Sequence, residues 1–447
     1  MVVLCLLAAG MLVRPPAALA LPWSVEVVDR LKTLGILPLW TGTRRPVAAV
    51  ELRAALREVD SSAVALLAPA DRQMLDRLRW EAGPEEWPVA GVGVAGGNVA
   101  RLYALQRDYF ALVSTPYRAT QGMVGWAVDS PTAGMWVGPE SPFLLGRERM
   151  GWGPGGAGGL LFADAAPPFD RLQYSVAWPT VRYTKVVGWL DGGRSLVAGR
   201  ADWMVRPHLR LGFSEAVVMD GAPYWVYVVQ PVPFLINQIL GHVLRAQQQG
   251  IDDNYLGTVD LEWLPHPGLR LYGEVLIDDL TLPPNPFPWR WGATVGVQTA
   301  RREGGGYLIQ YTVVPNWTYS ASRPALHYLL RGFPLAHPLG ADFDALHLRW
   351  TLSSTASPTL WATYIRKGEG EVGRFWTDLT EATTYAFLRG VVEYSLVVGV
   401  DWRVGGGPGG LVATIRPWVV RRENAGHVPG RTETDWGVEV AAQWTGD

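Results

Sequence analysis

Glu274, Asp278 and Asp279 place three carboxyl groups within six residues of one another, across the end of an alternating stretch. A pair of carboxyl groups hydrolyses a glycosidic bond when the two lie about 5 Å or about 6.5–9.5 Å apart. Spacing along the chain does not fix that distance, and polar residues facing Arg across the interior of a barrel fit the same residues better. The seven histidines (208, 242, 266, 327, 337, 347 and 427) are scattered and form no i, i+4 pair, so no metal site is expected. G-x-S-x-G, H-E-x-x-H and P-loop patterns are absent. Cys5 is the single cysteine and lies in an N-terminal apolar run, so disulfide, thiolate and Cys-metal chemistry are not expected of the mature chain. The reading is therefore a protein with no cofactor, no metal and no catalytic residue.

Binding chemistry is better represented. Leu144 to Arg171 reads LLGRERMGWGPGGAGGLLFADAAPPFDR. Its glycines let the backbone bend tightly or approach a surface closely. Its G-x-G spacing lacks the strand-and-helix setting of a dinucleotide loop. Arg147 and Arg149 can read carboxylates, and Trp152 can stack on a sugar face. The same segment also reads as a loop folded inward onto a barrel wall. Pro283 to Trp291 is a proline-stiffened loop whose Trp289 and Trp291 serve either as a sugar platform or as part of an aromatic girdle. The candidate polysaccharide-binding residues are thus Arg147, Arg149, Trp152, Trp289 and Trp291. Phe234 to Gln249 reads as a short amphipathic helix that caps or plugs a pore, or packs on a neighbouring loop.

The elements that would position these residues follow from composition and periodicity. Of 447 residues, 48% are hydrophobic and 18% charged, against about 25% charged in an average domain, which excludes disorder. The net charge of −2 offers no basic field for nucleic acid. Residues 1–20 read as an export signal with an Ala18-Leu19-Ala20 cleavage site. Residues 21–90 carry helical periodicity (Val27, Val28, Leu31, Leu34; then Leu52, Ala55, Leu56; then Met74, Leu75, Leu78) and predict a small periplasmic domain of three short helices with polar outer faces. Residues 91–447 alternate in short runs such as Asp260-Leu261-Glu262-Trp263-Leu264, separated by Gly/Pro/Asp/Asn turns. One face of each run is apolar and the other polar, and 18 of the 22 Trp fall in this zone, many near strand ends. An export signal, an aromatic-rich β zone and no covering helices predict a transmembrane antiparallel barrel of about 16–18 strands in the outer membrane.

Three segments in order resemble the Wzi capsule-assembly family. Gly151-Trp152-Gly153-Pro154-Gly155 with Ala163-Asp164-Ala165-Ala166-Pro167-Pro168-Phe169 is similar to that family's W-W-G-P-G…N-N-A-R-P-F stretch. His337-Pro338-Leu339-Gly340-Ala341-Asp342-Phe343-Asp344 resembles its H-P-L-G-x-D-x-D segment. Leu271-Tyr272-Gly273-Glu274 resembles its L-Y-G-E core. Trp152 follows Gly151 rather than a second Trp, and Ala163-Asp164 stands for Asn-Asn. The resemblance implies an outer-membrane barrel behind a periplasmic helical bundle, non-enzymatic, whose partners are surface polysaccharide and outer-membrane lipid. A diffusion porin and an outer-membrane hydrolase acting through Glu274 and Asp278 are the rival readings.

Overall fold

The computed structural model describes residues 22–45, 47, 49–82, 89–95, 99–106, 109–113, 118–122, 125–129, 132–137, 143–155, 159–230, 233–234, 253–279, 288–353, 358–384, 386–405 and 411–445; for 22–24, 49–50, 80–81, 89–137, 279, 411–412 and 441–445 it gives the backbone only. The export-signal reading (1–20) lies outside these residues, as do 235–252 and 280–287.

Four helices come first: α1 (Pro22–Thr33), α2 (Ala49–Arg57), α3 (Ser61–Ala65) and α4 (Pro69–Ala82). The 3–4 spacing of Val27, Val28, Leu31 and Leu34 buries one face of α1 against Leu52, Leu56, Met74, Leu75 and Leu78. Gly35, at φ +73°, ends α1. The Gly35 amide donates to the Lys32 carbonyl and that of Ile36 to the Leu31 carbonyl, the paired bonds of a Schellman cap. Asp60 caps α3, accepting from the Ser62 amide at 2.9 Å.

Among the described residues, eighteen antiparallel strands then close into one barrel. They are β1 (Val89–Ala95), β2 (Val99–Gln106), β3 (Tyr109–Val113), β4 (Thr132–Val137), β5 (Phe143–Glu148), β6 (Phe169–Ala177), β7 (Val181–Trp189), β8 (Ser195–Arg206) and β9 (Leu209–Met219), followed by β10 (Asp253–His266), β11 (Leu269–Asp279), β12 (Arg290–Thr299), β13 (Gly306–Val314), β14 (Phe343–Thr351), β15 (Thr359–Lys367), β16 (Glu393–Gly405), β17 (Leu411–Glu423) and β18 (Thr432–Thr445). Strands β1 and β18 pair and close the ring. None of the helices among the described residues is long and apolar enough to cross a membrane.

Strand phase identifies the solvent of each face. On β10, Asp260 and Glu262 are 1% and 0% exposed, while Val259, Leu261 and Trp263 between them are 52%, 38% and 43% exposed. Charges are hidden and apolar side chains shown, the reverse of a water-soluble sheet. The same inversion holds for Val295 and Val297 on β12, Ile309 on β13, Leu346 and Leu348 on β14, and Leu396 and Val398 on β16. Exposed aromatics bracket this apolar band. Trp203, Trp263, Tyr307, Trp350 and Trp402 sit near the short turns, and Trp189, Trp291, Tyr364 and Trp436 near the opposite ends of their strands. Two belts at the two interfaces are the signature of a barrel in lipid. The helices lie at the end with short turns, where the Gly268 amide donates to the Thr33 carbonyl and the Ala68 amide to the Arg302 carbonyl. Short turns mark the periplasmic end of such barrels.

Candidate functional site

The lumen is built from two layers, one fed from each end. The layer at the short-turn end, where the helices lie, is ionic. Strand alternation points Arg200 and Asp202 (β8), Arg210 (β9), Asp260 and Glu262 (β10) and Arg270 (β11) inward, where all are buried. Arg200 bonds Asp260 at 2.8 Å and Asp202 at 2.7 Å. Arg210 bridges Asp260 at 2.5 Å and Glu262 at 2.8 Å, and Arg270 bonds Glu262 at 2.7 Å. The helical domain completes the set. Lys32 reaches Glu262 at 3.1 Å and Asp29 at 3.0 Å, and Arg44 lies 3.6 Å from Asp202. Arg182 pairs with Glu51 at 2.9 Å and stacks on Trp40 at 3.9 Å. Each of the buried cations Lys32, Arg200, Arg210 and Arg270 thus has at least one carboxylate partner among Asp29, Asp202, Asp260 and Glu262, which offsets the cost of burying them.

The outer layer is apolar. The Gly-rich segment after β5 turns into the lumen and meets the N-terminal domain there. Arg44–Arg45 and Gly151–Trp152 pair as a two-residue antiparallel ladder, and the Gly153 amide donates to the Thr43 carbonyl at 3.0 Å. Of the two readings of this segment, the inward-folded loop describes it. Two glycines are required by close approach. Gly153 has φ +104°, and a Cβ there would lie 3.0 Å from the Glu274 carboxylate; a Cβ on Gly159 would lie 2.3 Å from the Phe162 carbonyl oxygen. Trp152, Leu160, Leu161 and Phe162 pack with Tyr319, Tyr328, Leu330 and Leu335 from the long connection between β13 and β14, against Leu196, Leu256 and Leu276 of the wall. Burial drives the Tyr319 and Tyr328 hydroxyls well above the ordinary tyrosine range, reinforced at both by the Asp278 charge.

The five candidate residues do not converge. Trp152 is 2% exposed, with the Phe162 ring edge-on at 5.0 Å, so it has no free face for a sugar. Arg147 shares the outward face with Phe143 and Leu145 and pairs with Asp170 at 2.5 Å; it points away from the lumen. Arg149 is half-buried and donates to the Asp164 carbonyl at 3.3 Å, pinning the plug. Trp291 alternates outward with Val295 and stands in the outer belt, and Trp289 is exposed beside it. Glu274 and Asp278 are buried beneath the plug, accepting from the Leu160 amide at 3.2 Å and the Tyr319 amide at 2.8 Å. They occupy structural bonds rather than an open cleft. Among the described residues no three His, Cys, Asp or Glu side chains gather as a metal site.

Of the predicted helix at Phe234–Gln249, residues 235–249 lie outside the described residues and Phe234 alone is described. Phe234 packs on the outside of the barrel, not in the lumen. Lys185, Gly199, Glu215 and Gly257 form one register row across the outward faces of β7 to β10. Phe234 lies over it, its amide donating to Glu215 at 2.8 Å and its ring 4.1 Å from the Lys185 ammonium. Tyr255 donates to the other Glu215 oxygen at 2.9 Å. Residues 224–230 and Phe234 therefore cover two charged groups that would otherwise face lipid, while Trp225 and Val229 are exposed on this strap.

What the outer mouth offers is a surface that sequence reasoning missed. Between β15 and β16, Phe375 and Trp376 stack at 3.9 Å and are half-buried, Phe387 is exposed, and Arg374 and Glu381 flank them. Arg290 lies 5.6 Å from the Phe375 ring. Asp342 fixes this loop from below, accepting from the amides of Gly370, Leu388 and Arg389. The signal was present in GRFWTDLTEATTYAFLRG, where aromatics and Arg cluster between two strands. Trp376 also meets Trp317 edge-on at 5.6 Å; aromatic rings beside guanidinium and carboxylate groups suit pyranose faces and hydroxyls.

A closed eighteen-strand cylinder with a lipid-facing apolar band and two aromatic belts is an integral outer-membrane β-barrel, with described residues of the Gly-rich segment and of the β13–β14 connection inside its lumen. Its fold is similar to that of Wzi from Escherichia coli, an outer-membrane protein involved in group 1 capsule assembly and described as a carbohydrate-binding β-barrel, with a TM-score of 0.61 and 13% identity over 96% of this chain and 99% of that one. OprD from Pseudomonas aeruginosa aligns with a TM-score of 0.38 and 11% identity over 80% of this chain and 92% of that one. OccK11 from the same organism aligns at 0.39 and 10% over 80% and 94%. No family model matches the chain. No curated protein matches it in sequence.

Proposed function

We propose that this protein binds cell-surface polysaccharide and assists its assembly or attachment at the outer membrane, as a member of the Wzi type and without catalysis. The observation that supports the reading is the set of described residues held inside the barrel. An ionic layer at the short-turn end and an apolar layer at the other end lie within the lumen and are joined at Arg44–Arg45 and Gly151–Trp152. Such a barrel presents its chemistry at the mouth, on Phe375, Trp376, Phe387, Arg374 and Glu381. Similarity to Wzi along nearly the whole of both chains supports the same reading. The rings stack on sugar faces while the charged groups take hydroxyls and uronic carboxylates.

The test measures binding of purified host surface polysaccharide to the detergent-solubilised protein, alongside conductance in planar bilayers. The expected result is saturable binding, at least tenfold weaker in Trp376→Ala with Phe387→Ala, and little steady conductance. Steady ohmic conductance without polysaccharide binding would establish the porin reading instead. Release of shortened polymer on incubation would establish hydrolysis.

A further inference from the structure

Two ion pairs on the lipid side of the wall share one construction. In the first, Arg147 is the next-to-last residue of β5 and Asp170 the second residue of β6, directly opposite it. In the second, Asp344 is the second residue of β14 and Arg366 the next-to-last residue of β15, again directly opposite. Both pairs are side-on. Nε of Arg147 lies 2.9 Å from Asp170 Oδ1 and its Nη2 lies 2.5 Å from Oδ2. Nε of Arg366 lies 2.9 Å from Asp344 Oδ1 and its Nη2 lies 2.5 Å from Oδ2. On the far side of each Asp stands an aromatic of the outward face. Trp189 of β7 is the register partner of Asp170, and Tyr311 of β13 donates its hydroxyl to Asp344 at 2.8 Å. The two sets lie nine strands apart in a ring of eighteen, on opposite sides of the barrel.

Their level in the membrane is set by the strands. A charge on the lipid face costs about 2–4 kcal/mol at the bilayer midplane and about 0–1 kcal/mol near the interfaces. Both pairs sit at the outer strand ends, within the outer aromatic belt, at the depth of the outer-leaflet headgroups. Here each Asp holds its Arg by the Nε edge and leaves the Nη1 edge directed away. Among the described residues neither Nη1 has a hydrogen-bond partner. A guanidinium fixed by one edge presents a planar fork that fits a phosphate.

We propose that Arg147 and Arg366 are two headgroup sites for a phosphorylated glycolipid of the outer leaflet. The phosphate sits on the free guanidinium edge. Trp189 and Tyr311 border the sugar, and Asp170, exposed on the same face, accepts a sugar hydroxyl. This assigns Arg147 a membrane ligand rather than the polysaccharide that its place in the sequence suggested, and it stands whether or not the mouth binds polysaccharide.

The experiment extracts wild type, Arg147→Gln, Arg366→Gln and the double variant from outer membranes in mild detergent and counts bound glycolipid by native mass spectrometry. Gel mobility before and after heating confirms that each barrel is folded. Two glycolipids on wild type, one on each single variant and none on the double variant are expected, with Arg→Lys variants in between. Re-adding the lipid to delipidated protein should restore binding with the phosphorylated form and fail with the dephosphorylated form. Unchanged retention by the folded double variant, or equal rebinding of dephosphorylated lipid, would overturn the proposal. So would inorganic phosphate alone changing Trp189 fluorescence as strongly as the lipid does, since the site would then recognise a free anion.

Discussion

Lys32 of α1 places its ammonium 3.1 Å from the Glu262 carboxylate on β10, and the two side chains are 1% and 0% exposed. A charged group of the helical domain thus completes a cluster whose other members belong to the barrel. The helices are seated by this contact and by Glu26, rather than resting on the rim.

Removing one partner of a buried pair leaves the other uncompensated and costs about 3–5 kcal/mol. Arg210 and Arg270 still reach Glu262, so Lys32→Ala is expected at the low end, about 3 kcal/mol. Hydrogen exchange on α1 should quicken while the strands stay protected. Lys32→Met with Glu262→Gln should recover part of the loss, and a double-mutant cycle reads the coupling. Purely additive effects would mean that the contact does not seat the domain.

Glu26 supplies a pH dependence. Burial pushes its carboxyl up, but the guanidiniums of Arg349 and Arg403 outweigh burial and hold it down, from an ordinary 4.5 to about 2. Arg349 of β14 and Arg403 of β16 both contact it, Arg403 at 3.0 Å. A depressed carboxyl stabilises the seated state above its unfolded pKa and loses that contribution as pH falls from about 4.5 through about 2. Protection of α1 amides, taken as the intrinsic exchange rate at each pH over the observed rate, should therefore fall between pH 5 and pH 2 in wild type. Glu26→Gln should start with less protection and lose that part of the slope. An identical slope in the variant would place the titration elsewhere.

Three inward aromatics lie across three inward glycines. A Cβ on Gly296 would fall 2.1 Å from the Tyr272 ring, one on Gly399 2.3 Å from the Trp361 ring, and one on Gly437 2.8 Å from the Trp418 ring. Each glycine is the register partner of its aromatic. Overpacking of this kind costs about 1–3 kcal/mol. Gly296→Val should lower the folded fraction recovered from urea, and pairing it with Tyr272→Ala should restore it. A Gly296→Val barrel as stable as wild type would show that the ring has room to move.

The alternation in Asp260-Leu261-Glu262-Trp263 reveals strand, barrel and phase because charge and apolar character strictly exchange. Phe143-Leu144-Leu145-Gly146-Arg147 does not, since Leu144 is apolar and yet buried on the inward face. Arg147 therefore read as a loop residue near a sugar rather than as an outward one. The polar faces of the helices were legible, but not their destination: Arg30 and Lys32 dock on barrel charges and backbone rather than on water. The aromatic–glycine pairs were hidden for a related reason. Tyr272 and Gly296 meet only through cross-strand register, which no local pattern encodes. The Gly-rich segment disclosed close approach but not the direction in which it folds.

Phe234 gives the last prediction, because its energetics differ from those of a water-facing core. Lipid is as apolar as a phenyl ring, so covering the wall with Phe234 gains little hydrophobic energy in itself. Its contribution is to shield the Lys185 ammonium, 4.1 Å away, and Glu215, to which its amide donates. Phe234→Ala keeps the amide on Glu215 but removes the ring over Lys185, baring its ammonium on the lipid face at a cost of about 2 kcal/mol for a depth between midplane and interface. Lys185→Leu together with Glu215→Leu removes what needs shielding. In that background Phe234→Ala should become nearly neutral in urea unfolding from vesicles. If the loss were the same in both backgrounds, the strap would act by packing rather than by covering charge.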